Sequence, residues 1–327
     1  MKKLVLTSLL VFYNFTYAYD EAGDFSEGLV SVRKNGKWGF IDKGGKLTIP
    51  LTYDEVFPFK SGKAMVKRGK EWYFIDKENK QQGKSFNRVK DYSDEIVYQN
   101  CDNGNIRLID MEGKEISSCK YTAINQFSEG LARANKDNEI FFIDKTGKEV
   151  LKFKEYDYIG DFKEGLAVVA KNHKYGFIDK NAKLVIPMEY DFTAEFSEGL
   201  AEIRRNNKSG FIDKNGKLII ANQYENAGAL VEGLVAVENN WKWGFIDKNG
   251  KEIIPIKYQD VSAFNEGLAA VKENEKWGFI DKKGKEIIPI KYDEISLFNE
   301  GVAKIRKGKK VSFIDKEGKL IFQLRNK

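Results

Sequence analysis

The sequence offers little for catalysis or metal binding by histidine. His173 is the only histidine among 327 residues, and it lies in the stretch Lys171–Lys174 between two strand-like runs. A Ser-His-Asp triad or a multi-histidine metal site needs partners that a single histidine lacks. We interpret His173 as an exposed turn residue, and neither a metal nor another cofactor is expected.

Acidic residues recur at a fixed interval, which raises the question of calcium binding or hydrolysis. A calcium array needs several oxygen ligands around each ion, whereas here one aspartate is followed by lysine in eight of nine cases. Two carboxylates for glycoside hydrolysis could come together from Glu27, Glu129, Glu198 or other acids. A periodic acid is more typical of a turn or a solvated edge, so the sequence favours a protein without enzymatic activity.

The two cysteines, Cys101 and Cys119, lie close together in the chain. A disulfide is chemically feasible if the protein is exported, and two free thiols are the alternative. The sequence leaves both open. Two cysteines alone do not make a zinc site.

The elements that would position these residues form a tandem array. The hydrophobic residue before Ile-Asp recurs every 34 residues, with one interval of 35. A fixed period of this length is typical of a solenoid, a propeller or an array. We therefore predict a single repeat domain over residues 19–327, of which unit 3, about residues 93–126, is degenerate. The nine anchors are Phe40, Phe74, Leu108, Phe142, Phe177, Phe211, Phe245, Phe279 and Phe313.

Each unit contains three short runs that are typical of strands. In the eighth unit these are Leu268–Val271, Trp277–Asp281 and Glu286–Tyr292. β-Branched and aromatic residues dominate them, and no apolar helical period persists. The stretch Asp247–Lys251 represents the turn between the second and third runs, where the aspartate should accept the backbone N–H two residues on.

The second run is apolar at adjacent positions, such as Phe279 and Ile280, so it should be buried on both faces. Units should therefore stack, with Gly278 leaving room for a neighbouring unit's aromatic ring. Pro289 and its equivalents Pro187 and Pro255 should lie on an edge strand or at a bulge, because proline lacks a ladder donor.

We expect an all-β, open, twisted, solenoid-like stack of nine three-stranded repeats of about 34 residues. A closed, β-propeller-like ring is the alternative. Propellers typically have four to eight four-stranded blades, with repeats of about 40 residues or more. The chain also begins and ends in the same phase, with Phe25 equivalent to Phe298, so no blade would be shared between its ends.

Residues 1–18 resemble a secretory signal peptide, with two lysines, an apolar run from Leu4 to Phe15, and Thr16-Tyr17-Ala18 as the cleavage site. The run is too short for a membrane helix of about 20 residues. We expect a periplasmic or extracellular protein without a membrane span. The formal charge is +6, lysines and acids are interspersed, and no basic block tracks phosphates, so nucleic acid is not an expected partner.

The segment KWGFIDKNGKEIIP, from Lys242 to Pro255, resembles the WG (KWG) repeat of bacterial proteins, which is named for its Trp-Gly pair. The resemblance covers Phe25 to the C-terminus. It implies an all-β repeat region, common in exported bacterial proteins, with no established shared activity. It supplies no catalytic residue.

Aromatic residues that depart from the repeat are the candidate ligand contacts. Trp241 occupies a turn position held elsewhere by small or polar residues, and Trp72-Tyr73 replaces Trp-Gly in the second unit. Such aromatics can anchor a protein partner or stack on sugars. The sequence favours a non-catalytic exported scaffold for protein–protein interaction. A polysaccharide- or cell-wall-binding module is the alternative, and a glycoside hydrolase is a second alternative.

Overall fold

The computed structural model describes residues 19–93 and 95–324. The proposed signal peptide, residues 1–18, lies outside the described residues. The described chain forms nine antiparallel sheets, each of four strands in sequence order, and we call each sheet a blade.

The strands of the first five blades are short and follow directly on one another. Blade 1 contains β1 (Glu21–Ser26), β2 (Leu29–Lys34), β3 (Lys37–Asp42) and β4 (Leu47–Tyr53); blade 2 contains β5 (Glu55–Val56), β6 (Ala64–Arg68), β7 (Glu71–Ile75) and β8 (Gln81–Phe86); blade 3 contains β9 (Val89–Ser93), β10 (Ile96–Asn100), β11 (Ile106–Ile109) and β12 (Glu115–Tyr121); blade 4 contains β13 (Ala123–Ile124), β14 (Leu131–Lys136), β15 (Glu139–Asp144) and β16 (Glu149–Phe153); blade 5 contains β17 (Tyr158–Ile159), β18 (Leu166–Lys171), β19 (Lys174–Asp179) and β20 (Leu184–Tyr190).

The remaining four blades repeat the same order. Blade 6 contains β21 (Phe192–Thr193), β22 (Leu200–Arg205), β23 (Lys208–Asp213) and β24 (Leu218–Tyr224); blade 7 contains β25 (Asn226–Val231), β26 (Leu234–Asn239), β27 (Lys242–Asp247) and β28 (Glu252–Tyr258); blade 8 contains β29 (Asp260–Val261), β30 (Leu268–Glu273), β31 (Lys276–Asp281) and β32 (Glu286–Tyr292); blade 9 contains β33 (Glu294–Ile295), β34 (Val302–Lys307), β35 (Lys310–Asp315) and β36 (Leu320–Gln323).

The hydrophobic core is divided among the junctions between blades. Each cluster of buried side chains combines residues from two neighbouring blades; in one of them Phe279 and Ile288 of blade 8 pack with Phe298 and Ile305 of blade 9. Within the described residues there are nine such clusters, whereas an open stack of nine units has one junction fewer.

The ninth cluster closes the ring. It joins Phe25 and Val30 of blade 1 to Phe313 and Phe322 of blade 9. The backbone N–H of Gly28 also donates to the carboxylate of Glu300 at 2.6 Å, across nearly the whole chain. The protein is therefore a nine-bladed β-propeller. The prediction of an open stack of three-stranded units was wrong, and its closed-ring alternative describes the fold.

The strand that the sequence pattern missed is the first of each blade. In blade 7 its pairing with β26 shifts between Ala227 and Leu230, which is a β-bulge. In blade 8 only Asp260–Val261 and the single bridge Asn265↔Leu268 pair with the second strand. A bulge destroys the alternation of period two, so no strand signal survives in the sequence.

Neighbouring blades meet through a repeated aromatic contact. The ring of Phe279, on a third strand, lies 4.7 Å from the ring of Phe298, in the segment that follows the first strand of the next blade. Phe279 and Ile280 are both buried, which confirms that the third strand is covered on both faces. The equivalent pairs are Phe40–Phe59, Phe142–Phe162, Phe177–Phe196 and Phe245–Phe264.

The glycine of the Trp-Gly pair has a different role from the predicted one. A Cβ on Gly278 would lie 2.6 Å from the carbonyl oxygen of Ile288, in the fourth strand of the same blade. That strand bulges opposite Gly278, where the pairing shifts between Trp277 and Phe279. The glycine thus makes room for its own blade's backbone and not for a neighbour's ring. Pro289 lies in this edge strand, as predicted.

The Asp-Lys-x-Gly-Lys turns follow the predicted mechanism and extend it. Asp247 Oδ1 accepts the backbone N–H of Asn249, two residues on, and that of Lys251, four residues on, both at 2.9 Å. The Lys251 N–H lowers the pKa of Asp247 below its ordinary value. Because the carboxylate already holds these donors, the repeated aspartate is explained by turn formation.

Candidate functional site

The ring has two ends with different chemistry. We call the end that carries the turns between second and third strands, such as Asn240–Trp241, the turn face. The opposite end carries the turns between first and second strands, such as Glu266–Gly267, and the Asp-Lys-x-Gly-Lys turns; we call it the Glu–Gly face. Its two kinds of turn meet between blades, where Lys316 Nζ lies 3.0 Å from Glu266 Oε2.

The carboxylates on the Glu–Gly face are engaged in joining blades. Glu266 of blade 8 accepts the backbone N–H of Gly301 of blade 9 at 2.8 Å. Burial alone would raise the pKa of Glu266, but Lys316 and the Gly301 N–H outweigh it and hold the pKa below its ordinary value. Equivalent bonds are made at six further junctions by Glu27, Glu129, Glu164, Glu198, Glu232 and Glu300.

These contacts explain three of the acids considered for hydrolysis. Glu27, Glu129 and Glu198 lie in left-handed turns, and each carboxylate accepts an N–H from the next blade. The sequence contained a signal for this role. Where Ser61 replaces the glutamate in blade 2, Met111 replaces its lysine partner in blade 3.

The junction between blades 2 and 3 therefore lacks this carboxylate contact. A cleft opens at the other end of the same junction, on the turn face, beside the turn between β6 and β7. The cleft has a volume of about 740 Å³, and its lining includes Trp72, Phe86 and Arg88. On the Glu–Gly face, Lys63 Nζ reaches Glu95 Oε1 at 2.6 Å across the same junction.

Trp72 and Tyr73 do not form an open platform. Trp72 is 6% exposed and packs in the core between blades 2 and 3. The Lys67 ammonium lies over its ring at 5.4 Å. Tyr73 is partly buried, with its ring 6.3 Å from that of Tyr53. The ring of Phe57 also lies near Trp72, with centroids 5.4 Å apart, so a sugar could not stack on Trp72 without displacing Lys67 or Phe57.

Trp241 has the opposite environment. It is 83% exposed, at the end of the β26–β27 hairpin, as its turn position predicted. Asn240 and Trp241 both have positive φ, of 52° and 60°. Two positive φ values define a type I′ turn, in which glycine is favoured at the second position and a bulky residue is an outlier. The hairpin thus holds a large aromatic side chain in a costly conformation.

Two further aromatics lie exposed on the same face, and sequence reasoning missed them. Tyr158 is 44% exposed and Phe192 is 40% exposed. Each begins the first strand of its blade, beside the turn between second and third strands. In the described residues, Tyr158, Phe192 and Trp241 are the aromatics with such exposure, and they belong to the consecutive blades 5, 6 and 7. The sequence feature that could have identified them is an aromatic residue at the position where other blades have an acid, such as Glu55 or Asp260.

Blade 3 carries the two cysteines. Cys101 and Cys119 form a disulfide in the structure, with their Cα atoms 6.1 Å apart. Cys101 opens a turn between β10 and β11 that is longer than the two-residue turn of most blades, and Cys119 lies in β12. The bridge therefore ties this irregular turn to the edge strand of its own blade.

The remaining candidates offer little chemistry. His173 is exposed in the turn after β18. Within residues 19–93 and 95–324, no group of three or more His, Cys, Asp or Glu side chains could hold a metal ion. That same part of the chain has no helix with the length and apolar character to cross a membrane.

Comparison with known proteins bears first on the fold. A crystal structure of the eukaryotic initiation factor is 10% identical, with a TM-score of 0.64, and the match covers 91% of this chain and 96% of that one. A computationally designed protein, Ika8, is 14% identical with a TM-score of 0.44, and that match covers 80% and 93%. At such identities the likeness to the initiation factor concerns the fold alone. No curated protein matches the chain.

Comparison with protein families gives eight matches to one repeat, described as the WG containing repeat, with a gap between residues 72 and 107. Together they take in most of the chain, and they correspond to the Trp-Gly unit that packs between blades. The matched residues are 16–38, 38–72, 107–139, 140–175, 175–208, 210–243, 243–277 and 277–310. The chain belongs to the family of WG-repeat proteins.

Proposed function

We propose that this propeller is a non-catalytic, exported scaffold that binds a protein partner through the turn face at blade 7. The observation that carries the proposal is Trp241, a large aromatic side chain exposed to solvent in a left-handed turn position. Tryptophan is enriched among the few residues that dominate binding energy at protein interfaces.

The conformation of Trp241 supports a role outside folding. A residue held in the left-handed region costs about 1–3 kcal/mol unless glycine takes its place. Trp241 gains little packing in return, because most of its surface faces solvent. The equivalent position of blade 1 has Gly36, which adopts a φ of 78° at no such cost. Other blades hold non-glycine residues at this position with the same conformation, such as His173 at 60° and Glu275 at 59°. What sets Trp241 apart is a large apolar side chain left in solvent, which a contact with another molecule would explain.

The shape around Trp241 favours a protein over a glycan. A sugar platform needs an aromatic face beside hydrogen-bonding groups in a groove, whereas Trp241 projects from the end of a hairpin. A projecting tryptophan fits a pocket in a partner protein. A glycan or cell-wall polymer is the second candidate, because Tyr158 and Phe192 extend the exposed aromatic surface over two more blades.

Two observations support the rest of the proposal. The carboxylates considered for hydrolysis accept backbone N–H groups between blades, so they are poorly placed to act as a free acid and base. The Cys101–Cys119 disulfide and the leader-like residues 1–18 are both typical of export to an oxidising compartment.

We expect Trp241→Gly to stabilise the protein and abolish partner binding. Glycine relieves the left-handed strain, so the free energy of unfolding should rise by about 1 kcal/mol. Loss of an anchoring tryptophan costs at least about 2 kcal/mol of binding, or about 30-fold in affinity. Urea unfolding measures the first effect. Quantitative mass spectrometry of proteins cross-linked to the tagged chain in the envelope of the producing cells identifies candidates for the second, whose affinity is then measured with each purified protein.

Asn207→Gly is the matched control, because Asn207 has a φ of 58° at the equivalent turn position of blade 6. This change should also stabilise the fold while leaving the partner bound. The proposal fails if Trp241→Gly and the control recover the same proteins in the same amounts. Retention by cell-wall polysaccharide that Trp241→Gly removes, with no protein partner lost, would favour the glycan candidate instead.

A further inference from the structure

A lysine at the start of the third strand forms an ion pair in several blades. Lys37 Nζ lies 2.5 Å from Asp54, and Lys174 Nζ lies 2.6 Å from Asp191. In each case the acid belongs to the short connection that leads into the next blade. The same pair recurs as Lys208–Glu225 and Lys276–Asp293. On the turn face, this lysine is therefore usually neutralised by its own chain.

Blade 7 departs from this pattern beside Trp241. Lys242 occupies the lysine position, but Gln259 stands where five of the other connections have an acid, namely Asp54, Asp157, Asp191, Glu225 and Asp293. The Gln259 side chain is itself engaged, since its Nε2 donates to Glu275 Oε1 at 2.9 Å and its Oε1 accepts the Glu275 N–H at 3.0 Å. Lys242 is exposed, and within the described residues no carboxylate lies within ion-pair distance of it.

A second cation lies on the same blade without an acid. Lys257 is exposed on β28, and its ammonium group lies 4.9 Å from the centroid of the Tyr258 ring. Trp243 pairs with Tyr258 across the sheet, so the strand ends that carry Lys242 and Lys257 are adjacent. The tip of blade 7 thus combines a solvent-exposed indole with two ammonium groups that form no ion pair within the described residues. The carboxylate at this turn, Glu225, accepts the N–H of Asn240 and lies 3.7 Å from Lys208 Nζ.

We infer that the Trp241–Lys242 tip recognises an acidic protein segment, in which a carboxylate lies beside the apolar side chains that receive the indole. This inference rests on the proposed function and specifies the chemistry of the partner. The indole would provide most of the affinity, because buried aromatic anchors dominate interfaces. The Lys242 ammonium would act at the rim, where a charge mainly accelerates association and makes binding sensitive to salt.

The chain itself suggests the most direct variant, because four other blades carry the missing ion pair. Gln259→Asp should recreate that pair and neutralise Lys242 while leaving Trp241 and Lys242 in place. Lys242→Gln tests the same charge in a second way, because it removes the ammonium group itself. Gln81→Asp is the control, since it adds the same negative charge on an exposed residue at the start of β8, on the Glu–Gly face.

The probe is a random peptide library displayed on phage and selected on the full chain, followed by synthesis of the enriched peptides. We expect peptides rich in Asp or Glu beside apolar residues. Their dissociation constants should rise about 2- to 5-fold with Lys242→Gln and with Gln259→Asp at low salt, which matches an exposed charge pair. The difference should vanish near 1 M salt, where the screening length is about 3 Å. Gln81→Asp should bind like the unchanged protein.

The outcomes separate this inference from the proposal on which it rests. Peptides that lose binding with Trp241→Gly but bind Lys242→Gln and Gln259→Asp normally would overturn the acidic partner and leave the Trp241 anchor intact. Enrichment of neutral or basic peptides would overturn it in the same way. If no enriched peptide depends on Trp241, both the inference and the proposed anchor fail.

Discussion

Removal of blade 9, residues 293–327, should expose blade 1 to hydrogen exchange as well as blade 8. In the closed ring, Phe25 and Val30 of blade 1 pack against Phe313 and Phe322 of blade 9. On the other side, Phe279 of blade 8 packs against Phe298. Losing a fully buried large apolar contact costs about 1.5–3 kcal/mol. Loss of several at each junction should accelerate amide exchange on the order of 100-fold or more in both neighbours.

Exchange mass spectrometry measures this effect strand by strand. The strands to compare are β2 and β3 of blade 1 and β30 and β31 of blade 8, with β18 and β19 of blade 5 as a distant reference. Phe313→Ala in the full chain gives the same readout without truncation. An open stack would lose protection in blade 8 alone, and an unchanged blade 1 would contradict the ring.

Phe279→Ala should cost about 3–5 kcal/mol of unfolding free energy, which is typical of removing a buried phenylalanine. Phe279 is almost fully buried, and its ring lies 4.7 Å from that of Phe298 in the next blade. Because the pair recurs at five junctions with described ring contacts, one substitution tests the packing on which the whole ring depends. Urea unfolding of the purified variant measures the loss.

A double-mutant cycle shows whether the energy belongs to the junction. Phe279→Ala and Phe298→Ala should be non-additive by about 0.5–1.5 kcal/mol, which is typical of an aromatic pair in contact. Phe192→Ala, at an exposed position, should cost less than about 1 kcal/mol. Additive losses, or a loss at Phe279 no larger than at Phe192, would show that blades do not pack through this pair.

Much of the repeat was predictable because short-range interactions determine its features. The 34-residue period, the turns built on residues such as Asp247, the edge position of Pro289 and the burial of both Phe279 and Ile280 all follow from side-chain type and spacing. Each of these features is settled within one unit. They identify the repeat whatever its global arrangement.

Closure of the ring and the fourth strand were not predictable in this way. The strand at the start of a blade is either interrupted by a bulge, as between Ala227 and Leu230, or only two residues long, as in Asp260–Val261, so its sequence lacks alternation. Closure of the ring depends on the angle between neighbouring blades, summed over nine units. No short sequence feature indicates that angle. The absence of a shared blade was misleading, because Glu300 and Gly28 join complete blades.

The candidate site was predictable only in part. Trp241 stood out because a large aromatic interrupts a turn position, and the structure places it in solvent. Trp72 stood out because Trp72-Tyr73 replaces Trp-Gly, but it fills the core between blades 2 and 3, since its strand faces the neighbouring blade. The unpaired charge of Lys242 becomes evident only when Gln259 is compared with the acids that close the equivalent pair in other blades.

Closure of the ring can be measured directly with a zero-length carbodiimide, which couples an ammonium group to a carboxylate in contact with it. Lys43 Nζ of blade 1 lies 3.4 Å from Glu300 of blade 9, and Lys77 Nζ of blade 2 lies 3.4 Å from Glu27 of blade 1, with similar exposure in the two pairs. The second pair joins consecutive blades and would form in a ring or in an open stack. In gel-purified monomer, the ring predicts that mass spectrometry recovers both cross-links in comparable yield. Recovery of Lys77–Glu27 without Lys43–Glu300 would contradict it.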